Sequence, residues 1–164
     1  MDLKAELQGT YSMVSSNRIS QLLRPTRIYS EIPGMLKCPE LSKSILGFAH
    51  ITGGGFPDNI KRMLPPEDKQ NKQGLTYKLD FEIHNMFTYL KQYAKQHNIE
   101  DVDKVIELYK WIYKMSGMSM DQMMRTFNCG IGMVFVTDRE LDLPKLKQLY
   151  GYNDFIPLGT IVQN

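Results

Sequence analysis

A layered domain of the α/β or α+β class is what this 164-residue sequence predicts, and three observations predict it. Two compact apolar runs rich in β-branched and aromatic residues, SILGFAHIT at 44–52 and GMVFVT at 132–137, read as strands. Between them, apolar residues recur at helical spacing over 79–97 and again over 101–115. The first run ends abruptly in Gly53-Gly54-Gly55 ahead of a helix start. Helices lying between buried strands pack as layers around one core, and the length suits one domain, 1–164.

In chain order, residues 1–21 are a polar, weakly patterned segment in which Ser15, Ser16 and Asn17 suggest a loop. Proline disfavours helix in the residue before it, so 25–29 turns or runs extended. Pro33-Gly34 and Pro39 punctuate short helical pieces. The run 44–52 follows as a buried strand. Asp58 is a candidate N-cap for a helix with Ile60, Met63 and Leu64 on one face, and Pro65-Pro66 stops it. The polar stretch 67–74 reads as an exposed loop. Leu79, Ile83, Met86, Phe87, Leu90, Tyr93 and Ala94 then mark a helix over 79–97. A second helix over 101–115 turns Val102, Val105, Ile106, Tyr109, Ile112 and Tyr113 inward, with acids in its first turn and Gly117 to close it. Ser119 and Gln122 have capping-box spacing, which starts a short third helix. After the strand at 132–137 come a short helix over 144–150, ended by Gly151, and a final strand over 155–162.

Bulk properties exclude several classes. Twenty basic residues against eighteen acidic leave a formal charge of +2, which makes no case for a nucleic-acid or anionic-membrane surface. No apolar run approaches the roughly 20 residues of a membrane span. The opening MDLKAELQGT has no apolar core of a secretion signal. Cys38 and Cys129 lack metal-ligand spacing and read as free thiols, so the chain is expected to be soluble and cytoplasmic. Of eleven methionines, five crowd into 115–124, where they fill irregular core space or form a pliable binding surface.

The most informative local pattern is HITGGG at a strand end. Glycines permit φ > 0 and close approach, so several backbone N–H groups can face one way and cradle an anion, with phosphate the natural guest. No Lys-Ser/Thr pair follows the glycines, so this is not a P-loop; a turn that only lets strand and helix pack is the other reading. His50 is separated from the glycines by Ile51 and Thr52, either as a structural residue or as a group aimed at a ligand beside the strand end. In RTFNCGIGM, two glycines entering a strand suggest a tight backbone approach. Asn128 there binds a ligand amide or caps the turn. Arg27 and Arg62 are candidate anion partners or, the reading sequence favours, solvated charges or members of ion pairs. Cys129 is a small buried residue or, less favoured, a nucleophile.

Three segments in order, LLRPTRIYSE at 22–31, GFAHITGGGFPDNIKRMLP at 47–65 and RTFNCGIGMVFV at 125–136, resemble the carboxy-terminal domain of aminoimidazole ribonucleotide synthetase. DFIPLGTIV at 154–162 resembles that family's closing strand. The resemblance implies a layered mixed sheet with helices. It implies an ATP-dependent cyclo-ligase of purine biosynthesis, which closes the imidazole ring of formylglycinamidine ribonucleotide. In that reaction the formyl oxygen is phosphorylated, an amine attacks the carbon, and phosphate leaves. It further implies an amino-terminal domain, on the same chain or a separate subunit, that forms a homodimer and supplies most contacts to ATP and magnesium. This chain alone is then expected to be inactive. By the same analogy His50 is an acid/base or polarising group. Thr52, Gly53, Gly54 and Gly55 hold phosphate, Asn59 supports the loop, and Thr26, Arg27 and Asn128 line the cleft edge; no metal ligand is expected here.

Lys61 departs from the family pattern, where proline is usual, and 66–100 is expected to be an insertion. Related enzymes, such as selenophosphate synthetase and thiamine-phosphate kinase, fit RTFNCGIGM less well. The alternative of another class is a phosphate- or nucleotide-binding or regulatory module that kept the glycine loop.

Overall fold

The computed structural model describes residues 15–65, 74–151 and 154–163. Helices α1 (Ser15–Leu22), α2 (Ile32–Met35) and α3 (Pro39–Ser42) precede strand β1 (Ile45–His50) and helix α4 (Gly55–Met63). Next come β2 (Leu75–Leu79), a 3-10 turn (Ile83–Asn85), and the two long helices α5 (Met86–His97) and α6 (Val102–Ser116). Then α7 (Met120–Thr126), β3 (Met133–Thr137), α8 (Leu143–Tyr150) and β4 (Gly159–Gln163) complete the order. The class is α+β. The described strands, however, form two separate antiparallel pairs, β1 with β3 and β2 with β4, where one mixed sheet was expected. None of the helices among the described residues is long and apolar enough to cross a membrane.

The β1–β3 pair lies between two apolar clusters. Ala49 and Val134 turn one face onto the larger core, built around Ile51, Phe56, Ile60, Met86 and Ile106. Met133 and Phe135 turn the other onto a smaller cluster with Ile32, Met35, Leu41 and Leu146. A bulge between Ile45 and Gly47 lets two residues of β1 oppose one of β3. The extra residue reverses the alternation, so Ile45 joins the smaller cluster and Leu46 is thrown out to 69% exposure. With Phe48 also 45% exposed, the strand expected to be buried is half open to solvent.

Local signals explain the helix ends. Ser119 Oγ accepts from the Gln122 N–H at 3.2 Å, and Gln122 Oε1 accepts from the Ser119 N–H at 2.8 Å. This reciprocal cap starts α7 and contributes about 1 kcal/mol. Gly117 and Gly151 end α6 and α8 in left-handed geometry. Met120, Met123 and Met124 are buried and Met115 is exposed, so most of the methionine cluster is core filler.

Several expectations need correction. Ser15, Ser16 and Asn17 begin helix α1, whose Arg18 lies 5.2 Å over the Trp111 ring of α6. Helix α4 starts at Gly55, which leaves Asp58 inside its first turn and not at its cap. The helix expected from residue 79 starts at Met86, because Leu75–Leu79 pairs along its full length with β4. The final strand is shorter than expected, Gly159–Gln163. Tyr113 is exposed. Of the loop expected at 67–74, only Gly74 is among the described residues. The 66–100 stretch supplies half of the second sheet and, through Met86, Phe87 and Leu90, part of the main core.

Candidate functional site

The site grows from the end of β1. His50 pairs with Met133, and the Ile51 N–H donates to Gly132 O at 2.9 Å as the two strands part. Ile51 is sealed in the core while His50 and Thr52 on either side of it are exposed, so strand alternation puts both polar side chains outward. The backbone then reverses: the Gly55 N–H donates to Thr52 O at 2.9 Å, and Gly54 and Gly55 adopt φ of 90° and 60°. A β-carbon on Gly55 would lie 1.8 Å from the backbone oxygen of Met124, so the loop is pressed against α7 at a distance only glycine allows.

Asn59 sets the direction of the loop. Its buried side chain donates to Gly55 O at 2.7 Å and to Gly53 O at 3.3 Å. A trans peptide opposes its C=O and N–H. Pinning the Gly53 carbonyl toward Asn59 therefore aims the Gly54 N–H away from it. The N–H groups of Thr52, Gly53 and Gly54 have no hydrogen-bond partner among the described residues. Arg62, one turn along α4, donates from Nη1 to Asn59 Oδ1 at 3.4 Å and makes no ion pair among the described residues. The Asp58 carboxylate works against an anion here, since Oδ2 lies 2.9 Å from where a Gly54 β-carbon would be. Lys61 and Arg62 outnumber it on the same helix.

The first motif segment reaches this strand end through Tyr29. Its ring meets the His50 imidazole edge-on at 5.4 Å between centroids. Its phenol oxygen occupies the space in front of Gly132, only 1.7 Å from where a β-carbon there would sit. Arg27 stacks its guanidinium 5.1 Å over the Tyr29 ring and forms ion pairs with Asp154 and Glu31. The hydrogen bond to Asp154 dominates in holding Arg27 more firmly protonated than usual. With two carboxylates already on it, Arg27 is a latch between the start and the end of the chain more than an open anion ligand. Thr26 beside it is exposed.

Asn128 caps its own turn. Oδ1 accepts from the Tyr109 hydroxyl at 2.6 Å and the Gly130 N–H at 3.0 Å, which supports Cys129 at φ 50°. Cys129 is 1% exposed and burial pushes its thiol up to about 12, so the nucleophile reading falls. Cys38 is likewise buried, and both thiols are free.

The three motif segments thus meet at one strand end, and the closing segment reaches them through the Arg27–Asp154 ion pair. A family model described as AIR synthase related protein, C-terminal domain, matches residues 4–163. The chain belongs to this family. The structure brings His50, Thr52, Gly53, Gly54, Gly55 and Asn59 together as one AIR synthase related loop, with Arg27 joined to them through Tyr29. Tyr29 was not singled out from sequence, although it stands within the LLRPTRIYSE segment; a tyrosine two residues from an arginine carries no signal of which glycine it will cover.

Proposed function

We propose that this chain is the carboxy-terminal domain of an ATP-dependent phosphoribosylformylglycinamidine cyclo-ligase, in which the glycine loop after β1 receives a phosphate group. The observation that carries the reading is the loop itself. Asn59 turns its carbonyls inward, the Gly53 and Gly54 N–H groups have no partner among the described residues, and Arg62 one turn away donates to Asn59 and makes no ion pair among them. Such a nest fits a phosphate and stabilises negative charge that moves onto its oxygens. His50, exposed at the end of the strand that leads into the loop, would exchange a proton with, or polarise, a group held there.

The residues fit the two cofactors unequally. A phosphate group of ATP matches the backbone donors. No three His, Cys, Asp or Glu side chains gather into a metal-sized cluster among the described residues. The family resemblance assigns most ATP and magnesium contacts to an amino-terminal domain. Bound there, magnesium would neutralise charge on the transferring phosphoryl group. This chain's share is to hold the anion, orient it and supply His50, and by itself it is expected to be inactive. A phosphate-binding regulatory module is the second reading, and it rests on the same loop.

The test mixes this chain with a cyclo-ligase amino-terminal domain and follows ADP release with formylglycinamidine ribonucleotide. Turnover found only in the mixture, and lost on His50→Ala, supports the half-enzyme. Association of the halves without turnover sinks it and leaves the binding module. Normal turnover by His50→Ala removes the role given to that residue.

A further inference from the structure

We propose that Tyr29 is a positioning residue of this site, its ring fixing the orientation of the His50 imidazole. The inference rests on the reading of His50 as the acting group and adds to it what holds that group still. His50 is exposed, and its side chain makes no hydrogen bond among the described residues. An imidazole so placed swings freely about χ2. Its ring contact is with Tyr29, at 5.4 Å and 69° between planes, an edge-to-face arrangement.

Tyr29 is itself held from several sides. The Arg27 guanidinium covers its face at 5.1 Å and is tied down by Glu31 and Asp154. The far end of the ring fills the space in front of Gly132, and the side chain packs against the smaller core cluster. The charged groups that act on the Tyr29 phenol are Arg27, Glu31 and Asp154. Gly132 belongs to the loop-and-strand segment that also receives the Ile51 N–H, so ring, imidazole and glycine loop share one frame. The contact is made by the ring. The phenol hydroxyl has no hydrogen-bond partner among the described residues, so a phenylalanine should serve as well.

Gly132 gives an independent handle. It is absent from the positive-φ glycines, so Gly132→Ala adds a methyl group without backbone strain and acts only by pushing the Tyr29 ring aside. The experiment records ring–ring NOEs and the His50 carbon-bound proton resonances in the full chain, for wild type, Tyr29→Phe, Tyr29→Leu and Gly132→Ala. It also records kcat and KM of each variant assembled with an amino-terminal domain. Tyr29→Leu and Gly132→Ala are expected to shift the His50 resonances and lose the NOE pattern of wild type. Their kcat should fall by roughly ten- to a hundredfold, the scale of a small misplacement of a reacting group, while Tyr29→Phe stays near wild type on every readout. Tyr29→Leu should add nothing to His50→Ala.

Wild-type His50 resonances in both Tyr29→Leu and Gly132→Ala would overturn the proposal, as would a Tyr29→Phe defect as large as that of Tyr29→Leu. If Tyr29→Leu fails to fold, Gly132→Ala decides. Normal turnover by His50→Ala would instead strike the functional reading, and the spectra alone would still report whether the ring holds the imidazole.

Discussion

Consider alanine in place of Gly55, where the glycine loop meets α7. The new methyl carbon would stand 1.8 Å from Met124 O and 2.7 Å from its carbonyl carbon, about 1.6 Å short of an ordinary contact beginning near 3.4 Å. Both neighbours are backbone, so no side chain can swing away and α4 must separate from α7. That movement strains the interface where Phe56 and Ile60 pack on Met120, Met123 and Met124. Overpacking of this kind costs about 1–3 kcal/mol. A φ of 60° adds roughly 1–2 kcal/mol for any residue with a β-carbon. A loss of about 3 kcal/mol corresponds to a melting point roughly 6–12 °C lower in a chain of this length. Thermal and urea unfolding followed by circular dichroism would measure it. Gly53→Ala is the internal control: its β-carbon meets nothing within 4 Å and its φ is not in the left-handed region, so a change within about 0.5 kcal/mol is expected. A Gly55→Ala chain melting within about 2 °C of wild type would refute the close contact and the account of why glycine stands there.

Two further outcomes follow from the same geometry. Asn59→Ala removes the donors to Gly53 O and Gly55 O, so stability should fall by about 1–3 kcal/mol. Amide exchange at Gly55, whose N–H donates to Thr52 O across the loop, should quicken more than elsewhere, and unchanged protection there would contradict the pinning role. Burial raises the Cys129 thiol from 9.0 to about 12. Between those values the thiol stays neutral in the folded chain and ionises in the unfolded one, so the stability it contributes is complete below pH 9 and lost as the pH rises toward 12. The slope from one such group is at most about 1.4 kcal/mol per pH unit. Cys129→Ala should flatten the decline without abolishing it, because burial also raises Tyr29, Tyr77 and Tyr109. Both cysteines should resist iodoacetamide in the native chain at pH 8, and fast labelling of Cys129 would contradict its burial.

What the sequence by itself determined is the set of features written in neighbouring residues. The Ser119–Gln122 cap, the left-handed ends at Gly117 and Gly151, and the helical stripe of Val102, Val105, Ile106 and Tyr109 need only contacts three or four positions apart. The strand at 132–137 and the glycine loop were legible for the same reason. Tertiary structure decided the rest. Leu75, Tyr77 and Leu79 alternate as a strand while Leu79, Ile83, Met86 and Phe87 continue as a helix, and pairing with Gly159–Gln163 settled which pattern won. The start of α4 moved to Gly55 because Asn59 and the backbone of α7 hold the loop there. Sequence leaves Arg27 as an anion partner, a solvated charge or half of an ion pair, and only the approach of Asp154, 127 positions away, names its partner. The place of His50 beside Tyr29 depends in the same way on a strand from the far end of the chain. Contacts between distant segments leave no period or spacing in the sequence, because each partner is selected by the packing of everything between them.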